Sequence, residues 1–203
     1  MQGMRRWAVV LLAYAAVGLL AGWVASIVWG SAWVHPEPWF RVSSELKLLL
    51  SLSLGAVLGV GVVLLSDSLS RGVGWGRTLA EELAPIARSI PPKLSLPLAM
   101  LSATGEELLF RAALIPALGV FGAALVFGLL HQMPGPARLA WALTATCMGL
   151  CFGLLYVAVG SIWGPILAHA IINSMNLRML RKREAPTATR TPLGGVLRST
   201  LPR

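Results

Sequence analysis

The chain has 203 residues, 56% hydrophobic and 12% charged, whereas a soluble domain carries about 25% charged residues. That balance excludes an ordinary soluble globular domain and identifies an integral membrane protein. The formal charge is +9, but no nucleic-acid partner is expected, and the two cysteines, Cys147 and Cys151, sit one helical turn apart in an apolar run and form no disulfide framework.

Trp7 to Val34, behind Arg5 and Arg6, is an uncharged run. It far exceeds the roughly 7–15 apolar residues of a signal peptide, so it reads as a first transmembrane helix. A short loop with His35, Pro36, Glu37, Pro38 and Arg41 follows. Leu46 to Leu65 is the second span, with Lys47 able to snorkel at its end. Asp67 to Lys93 is different: it carries Arg71, Arg77, Glu81, Glu82, Arg88 and Lys93. Inside it, Leu79, Leu83, Ile86 and Ala87 recur at helical spacing. Thr78 to Ser89 is therefore expected as an amphipathic helix on the membrane surface, closed by Pro91-Pro92.

Leu94 to Leu118 is the third span. Gly119 to Met133 is a short or tilted fourth, broken by Pro134-Gly135-Pro136. Arg138 to Val159 is the fifth, Gly160 and Ser161 form a turn, and Ile162 to Leu180 is the sixth, stopped by Arg181-Lys182-Arg183. The tail to Arg203 is rich in Thr, Pro, Gly and Arg and is expected to be disordered. The fold class is thus all-α: a polytopic transmembrane helix bundle of about six spans with one interfacial amphipathic helix. Residues 1–93 supply two spans and a polar linker, 94–180 a four-helix catalytic core, and 181–203 the tail.

Charge sets the expected orientation. Of the 17 Lys and Arg residues, Arg111 lies within a span, and only Arg41 and Lys47 fall on the outer side of a six-span topology. The others fall on the N-terminal side, so both termini are expected in the cytoplasm.

The third span holds the residues that need explaining: Glu106, Glu107 and Arg111. An ionised side chain at that depth costs roughly 2.5–3.5 kcal/mol on insertion scales, so these groups require partners inside the protein. Glu107 and Arg111, four apart, share a helix face as an ion pair. Glu106 lies about 100° round the helix and is free to face a cavity. His131 follows Phe127 by four on the fourth helix; His169 and Asn173 are four apart on the sixth, with Asn176 extending that face. A buried polar knot that merely ties helices together would use the same side chains. Taken together, though, one carboxylate, two imidazoles and one amide make a set suited to hydrolysis. Glu106 is 12 residues into its span, about 18 Å deep, and His169 and Asn173 lie near the middle of theirs.

Other intramembrane chemistries lack their residues. There is no His-Glu-x-x-His for a zinc protease, Asp67 is the only aspartate, and no rhomboid-type Gly-x-Ser accompanies a histidine. Glu81-Glu82 resembles Glu106-Glu107, but Ile86 stands where an arginine would pair, and Pro85 intervenes.

Glu106-Glu107-x-x-x-Arg111, Phe127-x-x-x-His131 and His169-x-x-x-Asn173, in this order on successive apolar helices, resemble the CPBP family. That group includes CAAX prenyl endopeptidases of the Rce1 type, bacterial Abi proteins and myxosortases, and the resemblance covers about Leu94 to Leu180. It implies an intramembrane endopeptidase acting on a membrane or lipidated protein, and the small size and basic tail suit a bacterial inner-membrane member. By the resemblance, Glu106 would activate water with help from His131, His169 and Asn173 would bind the oxyanion, and Glu107, Arg111 and Phe127 would support them. Some members have been described as metalloproteases. Zn²⁺ on Glu106, His131, His169 and Asn173 is the alternative, but a metal-free site is favoured because Asn is a poor zinc ligand. Two readings compete with the protease: a non-catalytic scaffold or chaperone with a structural polar core, and a small transporter with a Glu–His proton path. The absence of inverted repeats weighs against the transporter.

Overall fold

A computed structural model describes residues 2–183; the tail beyond Arg183, expected to be disordered, lies outside the described residues. The helices are α1 (Gln2–Trp29), α2 (Ser44–Gly72), α3 (Gly74–Ser89), α4 (Pro92–Glu107), α5 (Ile115–Leu130), α6 (Arg138–Val159) and α7 (Trp163–Lys182), with a π-helical segment, Leu108–Leu114, joining α4 to α5. Among the described residues there is no strand, only an isolated bridge between Val34 and Ser161. The all-α bundle expected from hydropathy is the fold.

The surface is apolar. Leu12, Leu19, Trp23 and Ile27 on α1, and Val57 and Leu64 on α2, are exposed, and only an acyl environment makes such faces favourable. Four helical stretches are long and apolar enough to cross a membrane: Met4–Trp29, Ser44–Gly72, Pro92–Leu130 and Arg138–Val159. A count of about six is therefore not confirmed. The difference has two physical sources. Helix α7 is not among the four; it spends His169, Asn173, Asn176, Arg178, Arg181 and Lys182 in 20 residues. The predicted third and fourth spans also form one helical stretch of 39 residues.

That stretch is bent back on itself. Gly119 has φ 69°, ψ 172°, outside helical space. In a straight helix Phe110 and Phe127 would stand about 25 Å apart, yet their rings meet edge to face at 4.8 Å. The chain thus reverses at Gly119, where the sequence places the boundary between its third and fourth apolar segments.

The contacts fix the helix directions. Asn173 meets Ser102 and Arg181 meets Ser95, so α7 runs against α4. Trp7 packs with Leu98 and Trp29 donates to the Ala113 carbonyl, so α1 runs with α4. Ser51 Oγ bridges the Ser161 carbonyl and the Gly164 amide, while Val63 packs with Ala168 and Ile172, so α2 runs with α7. Phe152 stacks on His169 and Met148 packs near Ile172, so α6 opposes α7.

One end of the bundle therefore gathers Arg5, Arg6, Arg71, Arg77, Arg88, Lys93, Arg138 and Arg181–Arg183. Helix α3 lies across that end: Trp7 Nε1 donates to the Ser89 carbonyl at 2.9 Å, and Glu82 accepts the Ala137 amide at 3.2 Å at the start of α6. Glu82 of the Glu81-Glu82 lookalike thus ties α3 to the start of α6. The helix also runs through Pro85 and begins at Gly74, earlier than the Thr78 expected. At the opposite end, the loop after α1 is laced to the α6–α7 turn by Trp39, Phe40 and His35 amides donating to Val157, Ala158 and Gly160, and by stacked Trp33 and Trp163.

Candidate active site

Glu107 and Arg111 are the most buried charges, with side chains 0% and 1% exposed. Arg111 Nε lies 2.9 Å from Glu107 Oε2, as the four-residue spacing requires. The pair also clamps a neighbour: Arg111 Nη2 donates to the Gly149 carbonyl of α6 at 3.2 Å. Phe127 and Phe152 lie 5.0 and 5.2 Å from the guanidinium carbon. A cation removed from water gains from aromatic faces at such distances, so Phe127 supports the site through Arg111.

The other Glu107 oxygen reaches across to α7. Glu107 Oε1 stands 2.7 Å from His169 Nδ1. With the Glu107 carboxylate as the acceptor, His169 donates through Nδ1–H, leaving Nε2 to face the interior. His131 is oriented likewise by the Phe127 carbonyl, 2.7 Å from its Nδ1. These tautomers follow from the hydrogen-bond partners.

Both Nε2 atoms face Glu106. Its Oε2 lies 3.7 Å from His131 Nε2 and 3.8 Å from His169 Nε2, and it is buried with no direct hydrogen-bond partner. Separations just beyond hydrogen-bonding distance between three polar atoms are what a shared water bridges. Glu106 thus points away from Glu107, as the helix angle predicts, and helices α4, α5 and α7 bring the carboxylate and both imidazoles together.

Asn173 is on the expected face of α7, but the bond it makes is Nδ2 to Ser102 Oγ, at 3.1 Å. Ser102 lies one turn before Glu106, so it seats the amide along the same α4–α7 seam. Among the described residues no group of three or more His, Cys, Asp or Glu side chains is arranged to hold a metal ion. Glu106 Oε2 stands 3.7 and 3.8 Å from the two imidazole nitrogens, against ~3.4 Å between ligands of a regular tetrahedral zinc with bonds near 2.1 Å.

Two features were invisible to motif reading. The π segment holds Phe110 and Arg111, and such segments recur at functional sites because they re-aim side chains on an otherwise regular helix. Tyr14, on α1, brings its hydroxyl to the neighbourhood of Glu106. It gets there because α1 and α4 touch at Gly18 and Gly105: a Cβ added at Gly105 would sit 2.8 Å from the Tyr14 carbonyl oxygen. Small residues at the crossing were the only available signal.

Fold and site together define a polytopic helical membrane protein with a buried acid–imidazole cluster at the meeting of three helices. Residues 89–175 match the family model described as type II CAAX prenyl endopeptidase Rce1-like. That match falls on the stretch whose three motifs resemble the CPBP family, and it supports membership of that family. Uncharacterized protein YpbD of Bacillus subtilis (strain 168) is 35% identical over 88 residues, which are 43% of this chain and 45% of that protein. The chain thus covers less than half the length of that relative. No solved structure matches.

Proposed function

We propose that the protein is an intramembrane endopeptidase that hydrolyses a peptide bond of a membrane-associated or lipidated protein, using water activated by Glu106. The observation that carries this reading is the unpartnered Glu106 Oε2 facing two imidazole Nε2 atoms whose Nδ1 positions are already committed. A water held there gives its proton to Glu106 as its oxygen bonds to the scissile carbonyl carbon, with His131 aligning the water. The carbonyl π pair moves to oxygen. In this reading Asn173 donates its second amide hydrogen to that oxyanion, and His169 does the same once doubly protonated, with Nδ1–H kept on Glu107 and Nε2–H turned to the oxyanion. Glu106 then passes its proton to the leaving nitrogen, the C–N bond breaks, and a carboxylic acid and an amine result. No step runs through a metal.

Under this reading the protein is a bacterial inner-membrane enzyme with both termini cytoplasmic, residues 94–180 form its catalytic core, and its substrate is cleaved beside a transmembrane helix. The scaffold reading rests on the Glu107–Arg111–Gly149 clamp, all of whose contacts are structural.

Comparing the membrane proteome of cells carrying the wild type or Glu106→Gln tests the choice. A protein that stays uncleaved in the variant, at unchanged variant abundance, supports the protease; cleavage by wild-type enzyme survives a zinc chelator. Falling abundance with no uncleaved protein supports the scaffold.

A further inference from the structure

We propose that a crevice between the start of α4 and the end of α7 binds the phosphate of an anionic lipid head group. This site is separate from the proposed cleavage and does not depend on it. Ser95 lies 11 residues before Glu106, about 16 Å along the helix axis.

The crevice has a volume of about 260 Å³ and is lined by Pro92, Ser95, Leu96, Ser174, Arg178 and Arg181. Its charge is of one sign, since no carboxylate lines it. Arg181 is fixed in the wall: its Nη1 donates to the Ile90 carbonyl at 2.7 Å and to Ser95 Oγ at 2.8 Å. Its Nε and Nη2 make no hydrogen bond among the described residues, so one edge of the guanidinium remains available to an oxyanion. Arg178 is exposed one turn after Ser174 and forms no ion pair among the described residues. Pro92 opens α4, so the positive end of that helix dipole borders the same space. Two guanidiniums, one of them anchored, beside hydroxyls and a helix start suit a tetrahedral anion.

The rim decides which source of phosphate the crevice fits. Leu96 and Met100, one turn apart on α4, are 52% and 48% exposed, and Met175, beside Ser174, is 42% exposed. A cationic pocket that opens onto an apolar flank matches an amphipathic ligand, with its head among the arginines and its chains along Leu96, Met100 and Met175. A soluble anion has no use for that flank. The crevice also sits at the basic end of the bundle, the level at which pockets between transmembrane helices meet head groups.

The test uses the full-length protein in nanodiscs containing phosphatidylglycerol and phosphatidylcholine, reading retained lipid by native mass spectrometry. Wild type is expected to retain phosphatidylglycerol preferentially. Arg178→Gln should reduce that retention by roughly tenfold or more, the loss of one charge-assisted hydrogen bond to the phosphate. Lys182→Gln removes the same charge from an exposed position outside the crevice and should leave retention unchanged. Arg178 is chosen over Arg181 because it holds no backbone carbonyl, and an unaltered melting temperature confirms that the variant is folded. Equal losses in both variants, or no preference for phosphatidylglycerol, would overturn the proposal. So would binding of inorganic phosphate in neutral-lipid discs together with loss of the lipid preference. Displacement by a peptide with a free C-terminal carboxylate, but not by its amide, without any lipid preference would instead assign the crevice to a peptide.

Discussion

Glu106 and Glu107 are neighbours in sequence with opposite surroundings, and the difference is measurable. Glu107 is enclosed, paired with Arg111 and bonded to His169. Converting it to Gln leaves a guanidinium buried without its counter-charge, a change that costs about 3–5 kcal/mol. Glu107→Gln is therefore expected to lower the melting temperature and membrane abundance, whereas Glu106→Gln, which strips no buried cation of its partner, should keep both and lose cleavage. If the two variants behaved alike, the division between clamp and base would fail. Tyr14 makes a finer case. Its hydroxyl approaches Glu106 from a helix outside the family match. If the hydroxyl supports Glu106 in the reaction through a bond to the charged group, worth about 1.5–3 kcal/mol, Tyr14→Phe should slow cleavage by roughly 10- to 100-fold. A rate equal to wild type would show that the phenol only fills space.

Among the elements, the Gly119 reversal decides whether a site exists at all. It folds α5 back so that Phe127 reaches Phe110 and Arg111, and His131 reaches Glu106. The backbone there, φ 69° with ψ 172°, belongs to a region that is essentially restricted to glycine. Gly119→Ala is expected to cost about 1–3 kcal/mol and, by shifting His131, to reduce cleavage further than the loss of stability accounts for. A thermal melt beside a cleavage assay separates the two effects, and wild-type values in both would mean that the turn tolerates a side chain. The sequence showed where this break falls, because apolar runs end where backbone freedom is needed. It also showed which side chains converge, because spacing by four puts partners on one face and burial forces charges to pair. It did not show the π segment, since nothing in Leu108–Leu114 departs from ordinary helix-forming composition. Nor did it show Tyr14 or the Ser102–Asn173 bond, which depend on how helices distant in sequence cross.

At the scale of the whole molecule, the arrangement of charge makes a claim about the cell. Among the described residues, helix directions inferred from side-chain contacts collect most of the basic side chains at one end, with α3 lying across it, and leave Arg41 and Lys47 at the other. Hydropathy and charge counting led to the same division without knowing any contact. The two arguments are independent: one rests on packing, the other on the cost of moving Lys and Arg through a membrane. Together they predict that the basic end faces the cytoplasm. The prediction is tested in a background with Cys147 and Cys151 replaced by Ala, carrying single cysteines at Pro38, in the loop after α1, or at Gly74, at the start of α3. A membrane-impermeant maleimide applied to spheroplasts is expected to label Pro38→Cys and to reach Gly74→Cys only after lysis. The reverse pattern would invert the bundle and put α3 on the outer face. Labelling of both in intact spheroplasts would mean that the two ends are not on opposite sides of the bilayer, and the reading of α1 and α2 as full spans would be lost with it.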